Sequence, residues 1–228
     1  MKIIGVGPGG DVGFEDVLDH GVDPAGLAHD HGFFADRPLD VIRDDSGELV
    51  LRLEVRPLTG EHRPSVQPRG RDAGLVLTPD RPPVVRQRVA GYAVVLSTRG
   101  LLATEFSDRT AIAGRWGMPG GGLDDHEQPG AAVMREVMEE TAQVIRLGDL
   151  IKVHTSRWIG RNPHGEVEDF HAVRLIYQAQ CEKPTDPVVI DSDGTTRSAR
   201  WVPVDEWETL HWTQNWHEVL AELLGPGS

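Results

Sequence analysis

The chain reads as an α/β protein, and three observations carry that expectation. Apolar, strand-like runs recur along its second half, at 89–97, 101–105, 147–157, 169–180 and 199–203. Helix-compatible segments stand among them, at 129–140, 205–210 and 216–224. The first 56 residues carry strand patterns of their own and are set off by a proline-rich stretch. The expected organisation is therefore 1–56 as a small N-terminal α+β extension or domain, 57–83 as a Pro-rich linker, and 84–228 as the main domain.

In the N-terminal segment, 11–18 is expected to form a short helix. Residues 39–43 and 48–56 are expected to form strands around the turn Asp44-Asp45-Ser46-Gly47. From Leu51 to Arg56 apolar and charged residues alternate, the period of a half-buried strand. Gly5-Val6-Gly7-Pro8-Gly9-Gly10 matches G-x-G-x-x-G, but Pro8 and the short preceding run argue for a turn rather than a dinucleotide fold. His20, His29 and His31 are expected to be surface residues, because no cysteine or further ligand spacing accompanies them.

Residues 57–83 hold six of the sixteen prolines, the composition of a linker, with a short strand expected at 74–78. Arg63, Arg69, Arg71, Arg81, Arg86 and Arg88 either reach an acidic ligand or are solvated.

The chemistry concentrates between Gly121 and Glu140. The pattern is G-x5-E-x7-R-E-V-x-E-E, with Glu127, Arg135, Glu136, Glu139 and Glu140 at its charged positions. Glutamates at i, i+3 and i+4 share one helical face, where they repel unless a positive charge stands between them. Carboxylate oxygens suit Mg²⁺ or Mn²⁺. Arg135 lies four residues before Glu139 and is placed to hold it. Pro119-Gly120-Gly121-Gly122 can bring bare backbone close to a ligand, and Pro129-Gly130 suits a helix entry. A merely solvated acidic helix would explain neither the glycines, nor Trp116 and Pro119, nor the spacing to Glu127.

This segment, with its lead-in Arg115-Trp116-Gly117-Met118-Pro119-Gly120, resembles the signature of the Nudix hydrolases. A looser likeness extends from about 89 to 222 and includes Trp201-Val202-Pro203-Val204-Asp205-Glu206. The resemblance implies a Nudix-type α/β/α sandwich with a mixed sheet, and hydrolysis of a nucleoside diphosphate linked to another group. It implies metal ligation by Glu136, Glu140 and the Gly120 carbonyl, with Glu139 as a further ligand or the base. Glu127 would help fix the loop and could reach a metal through water. One departure stands at the end of the box, where Ala142 and Gln143 replace the usual glycine and aliphatic residue. At a left-handed position the alanine costs roughly 1 kcal/mol; otherwise the helix ends differently. A nucleotide-binding or regulatory protein of weak catalysis is the alternative reading.

In the family an acidic residue of a later loop often assists the metal; Glu166, Glu168 and Asp169 stand in such a loop, which a solvated role explains equally. Arg115, Trp158 and Glu168 are the candidates for substrate contact. Near Trp158, Arg157 and Arg161 offer guanidinium groups suited to phosphate, with packing as the alternative for Trp158.

A net charge of −13 argues against general nucleic-acid binding but not against a nucleotide substrate. No apolar run approaches the roughly 18 residues of a membrane helix. The start Met1-Lys2-Ile3-Ile4-Gly5 does not resemble a secretory signal. The lone Cys181 suits a reducing cytoplasm and a structural role. The expected partner is a nucleotide-type small molecule, and many members of the family pair as homodimers.

Overall fold

The computed structural model describes residues 1–60, 70–78, 80–162, 165–191 and 194–225. Arg63 and Arg69 of the proline-rich stretch lie outside them. The chain divides into two compact units. The first comprises Met1–Ala90, Gly122–Pro129 and Asp149–Ile176, and the second Gly91–Gly121, Gly130–Gly148 and Tyr177–Ser228.

In the first unit a four-stranded mixed sheet is built from β1 (Lys2–Val6), β2 (Val12–Val17), β3 (Phe33–Arg43) and β4 (Leu49–Pro57), ordered β2-β1-β4-β3. β1 runs parallel to β4 and antiparallel to β2. The β3–β4 hairpin is the one the alternating pattern anticipates: Leu51, Leu53 and Val55 are buried. Its turn is closed by Asp44, whose carboxylate accepts from the Ser46 and Glu48 N–H groups, both at 2.9 Å. A short helix, α1 (Pro24–Asp30), starts on an Asp23 cap that accepts from Ala25 N at 2.9 Å.

Two local expectations are corrected in this unit. Within 11–18 the chain forms β2, not a helix. A helix of eight residues containing Gly13 nucleates poorly, whereas β1 offers a ladder, and the Phe14 ring lies over Gly5, where a Cβ would come within 2.3 Å of it. Residues 74–78 are not a strand: Thr78 makes only an isolated bridge to Arg81. Instead β5 (Gly70–Arg71) pairs parallel with Trp158 and Ile159 of a later strand.

The second sheet has eight strands. They are β5, β6 (Val84–Ser97), β7 (Gly100–Phe106), β8 (Trp116–Gly117), β9 (Gly120–Gly122), β10 (Arg146–Arg161), β11 (Val167–Gln180) and β12 (Thr196–Val202). The order is β12-β7-β6-β11-β10-β5, with β8 on β7 and β9 on β6. The strands expected from 89 onward are all present, and β6 and β10 run several residues further because the sheet extends them beyond their apolar centres. In the second unit β6 turns into β7 at Gly100, whose φ of 107° and close approach to the Val202 carbonyl exclude any side chain.

The helices of the second unit are α2 (Pro129–Thr141), which begins at the expected proline, and α3 (Gln214–Leu224), capped by Thr213. Residues Val204–Thr209 form a 3-10 helix where an α-helix was expected at 205–210. Six residues between Pro203 and Leu210 are too few for a stable α-helix. Cys181 is buried, in keeping with its structural reading. Among the described residues no helix is long and apolar enough to cross a membrane.

Candidate functional site

Helical geometry grades the three glutamates of α2 by depth. Val133 and Val137 are fully buried and fix the inward direction of the helix. At about 100° per residue, Glu140 falls about 20° to one side of Val133, Glu136 about 60° and Glu139 about 120° to the same side, away from Val137. Exposure follows that order: Glu140 is 9% exposed, the Glu136 side chain 18% and the Glu139 side chain 41%.

Both oxygens of Glu140 accept hydrogen bonds. Oε2 takes the Gly120 N–H at 2.9 Å, and Oε1 takes the Thr196 hydroxyl. Burial pushes its carboxyl up to about 7, and the charges of Glu136 and Glu139 add to the rise; the Thr196 and Gly120 donors act against it. Arg135 Nη1 donates to Glu136 Oε1 at 3.0 Å and to Glu139 Oε2 at 3.1 Å, supplying the positive charge that neighbouring carboxylates require.

The glycines bring backbone against these groups. A Cβ on Gly121 would stand 2.5 Å from the Glu136 carboxyl, so only glycine leaves the space that this carboxylate occupies. Gly120 has φ of 145°, and a Cβ there would meet the Gly91 carbonyl at 2.2 Å. The second unit thus gathers Gly120, Gly121, Arg135, Glu136, Glu139 and Glu140. The donor set is oxygen throughout, which fits a hard divalent cation. Among the described residues no three His, Cys, Asp or Glu side chains converge as a ready-made cage. Arg135 occupies the position between Glu136 and Glu139 instead.

The end of the box keeps its shape with different residues. Ala142 adopts the left-handed conformation, φ 55°, that a glycine would take freely. Gln143 is buried: its Nε2 donates to the Thr141 carbonyl at 3.1 Å and to Thr185 Oγ1 at 2.9 Å, and its Oε1 accepts from Thr185 N at 3.0 Å. An aliphatic residue could not tie residue 185 to the helix end.

Other candidates are engaged elsewhere. In the second unit Arg115 is exposed beside Trp212, Gln214 and His217 at a pocket of about 440 Å³. In the first unit Glu127 Oε2 accepts from Asp124 N at 3.0 Å, and its carbonyl accepts from Arg43 Nε at 3.0 Å. Glu168 is buried against Arg86 Nε at 2.6 Å and Asn162 Nδ2 at 2.8 Å. Asp169 holds Arg157 through both oxygens, at 2.8 and 2.7 Å, and Glu166 pairs with Arg86. Trp158 lies over Gly160 and Gly70, so ring surface that could face a base packs on backbone. Of the arginines near the linker, Arg88 lies against Gly122 and Arg71 donates to the Leu75 carbonyl.

A family model for the NUDIX domain matches residues 86–224. The chain belongs to the Nudix family. It is 27% identical over 113 residues to Nudix hydrolase 25 of Arabidopsis thaliana, a match covering 44% of this chain and 64% of that protein. It is 32% identical over 91 residues to the chloroplastic Nudix hydrolase 26 of the same plant, covering 40% of this chain and 36% of that protein. The match thus spans less than two thirds of either relative. A solved MutT protein from Methanosarcina mazei Go1 aligns at 17% identity and a TM-score of 0.45, covering 64% of this chain and 96% of that one. The fold is the α/β fold with a mixed sheet that the resemblance implied.

One polar partner in this Nudix site had no signal in the sequence. Thr196 belongs to a strand 56 positions from Glu140, and nothing in its local pattern distinguishes it from any other strand threonine.

Proposed function

We propose that this Nudix chain is a divalent-metal-dependent hydrolase. It would cleave a phosphoanhydride bond in a nucleoside diphosphate-linked or nucleoside triphosphate substrate. The observation that carries the reading is the bare Gly120-Gly121 backbone held against the Glu140 and Glu136 carboxylates. Glu136, Glu140, Glu139 and the Gly120 carbonyl are the proposed holders of Mg²⁺ or Mn²⁺. Bound there, the cation would neutralise diphosphate oxygens and lower the pKa of the attacking water.

The chain's own residues divide the remaining work. Glu139 is the most exposed of the three carboxylates and is placed to accept a proton from water. Arg135 holds Glu139 and Glu136 in place. Glu127, through the Asp124 N–H, closes the loop before α2. Arg115, Trp158 and Glu168 are the proposed substrate contacts, and the partners holding Trp158 and Glu168 would have to release them for direct contact. The strained Ala142 does not favour an inactive relative, since the helix closes through the same left-handed turn.

The test is phosphate release, with a coupled pyrophosphatase, across nucleoside triphosphates, nucleotide sugars, dinucleoside polyphosphates and dinucleotides. Turnover is expected with Mg²⁺ or Mn²⁺, abolished by EDTA and lowered about 100-fold or more in Glu140→Gln. A folded protein with no turnover on any of these would end the hydrolase reading.

A further inference from the structure

We propose that Thr196 is a positioning residue for Glu140, setting the carboxylate so that it can receive a divalent cation. The inference rests on the metal-dependent reading above.

A carboxylate has about four lone-pair sites, two on each oxygen. Thr196 Oγ1 takes one on Oε1 and the Gly120 N–H takes one on Oε2, which fixes the plane of the group and leaves one site on each oxygen. The Gly120 donor belongs to β9, and Thr196 approaches from β12. Thr196 is itself buried, which shields its hydroxyl from solvent.

Backbone hydrogen bonds hold the described residues on the N-terminal side of Thr196. Residues 188–191 lie along the C-terminal end of α2, where helix carbonyls lack partners within the helix. Val188 N donates to the Thr141 carbonyl at 3.1 Å, Ile190 N to the Glu139 carbonyl at 2.8 Å and Asp191 N to the same carbonyl at 3.2 Å. Ser107 N then donates to the Thr195 carbonyl at 2.8 Å, anchoring the residue before Thr196 to the end of β7. The β12–β7 register shifts between Thr196 and Ser198, so Ser198 pairs with Glu105 and donates to its carboxylate while Thr196 serves Glu140. The place of Thr196 at the start of β12 thus brings the hydroxyl to the carboxylate near the helix end.

The experiment measures Mn²⁺ binding to the full chain by electron paramagnetic resonance of the free ion, without substrate. Wild type, Thr196→Val, Thr196→Ser and Glu140→Gln are compared, with melting in EDTA recorded for each. Thr196→Val keeps the volume and removes the hydroxyl. It is expected to weaken Mn²⁺ about tenfold or more, the usual effect of losing a group that orients a ligand. Thr196→Ser is expected to stay within about threefold of wild type. If Thr196→Val does not fold, Thr196→Ala takes its place. Equal affinity in wild type and Thr196→Val, with loss in Glu140→Gln, would overturn the role of Thr196 and leave the cation site standing. A loss in Thr196→Ser as large as in Thr196→Val would overturn it too, since the hydroxyl would not be the active part. No Mn²⁺ binding by the wild type would remove the cation reading itself, and the role of Thr196 with it.

Discussion

At the scale of the residue, Ala142 shows how a departure from a family pattern can be absorbed. A non-glycine residue with φ of 55° costs about 1 kcal/mol. Ala142→Gly is therefore expected to stabilise the chain by up to about 1 kcal/mol. The urea midpoint measures this, and an unchanged or lower midpoint would show that the turn is not strained. The neighbouring departure, Gln143, has a different explanation. Its amide joins the helix end to Thr185 through three hydrogen bonds, a demand that a local reading could not see. The charged residues of the box were legible because helix spacing alone places them together.

At the scale of the element, Gly120 and Gly121 separate stability from chemistry. A Cβ on Gly120 meets backbone of Gly91 and Tyr92, which cannot easily move. Gly120→Ala is expected to cost about 2–4 kcal/mol, seen as a large fall in Tm. A Cβ on Gly121 meets only the end of the Glu136 side chain, which can rotate away. Gly121→Ala should cost less than about 1 kcal/mol of stability but lower activity about 10–100-fold, because the carboxylate is displaced. Equal activity in Gly121→Ala and wild type would show that Glu136 works from another position. Local pattern and structure agree where one periodicity dominates, as in β4 and α2. They part at 11–18, where weak local preference yields to pairing with β1, and at 205–210, where the chain is too short for an α-helix.

At the scale of the whole molecule, a buried histidine of the first unit makes stability depend on pH. His171 is almost fully buried on β11, and its Nδ1 accepts from Gly21 N at 3.0 Å. Gln87 Oε1 lies 2.9 Å from the same nitrogen. Burial, then His20 and Arg157, lower its pKa to about 4, against the opposing pull of Asp23 and Asp169. The folded chain therefore binds fewer protons than the unfolded chain between pH 6.5 and about 4. The stability this neutral ring preserves is complete above pH 6.5 and is lost as the pH falls through that window. The loss is about 2 kcal/mol after allowance for solvent screening. Urea unfolding at pH 7.5 and 4.5 should show a smaller acid loss in His171→Gln than in wild type, and identical losses would rule the ring out as the cause.

The sequence by itself determined the family, the acidic helix and the identity of the residues crowded on its face. These follow from spacings within about 20 positions, where helix geometry converts order along the chain into position in space. Only the tertiary structure decided which carboxylate is buried, what holds it and which other charges are already paired. Thr196 meets Glu140 across 56 positions, and His20 meets Asp169 across 149. Such contacts depend on which strands pair and in what register, and a local pattern does not encode that pairing.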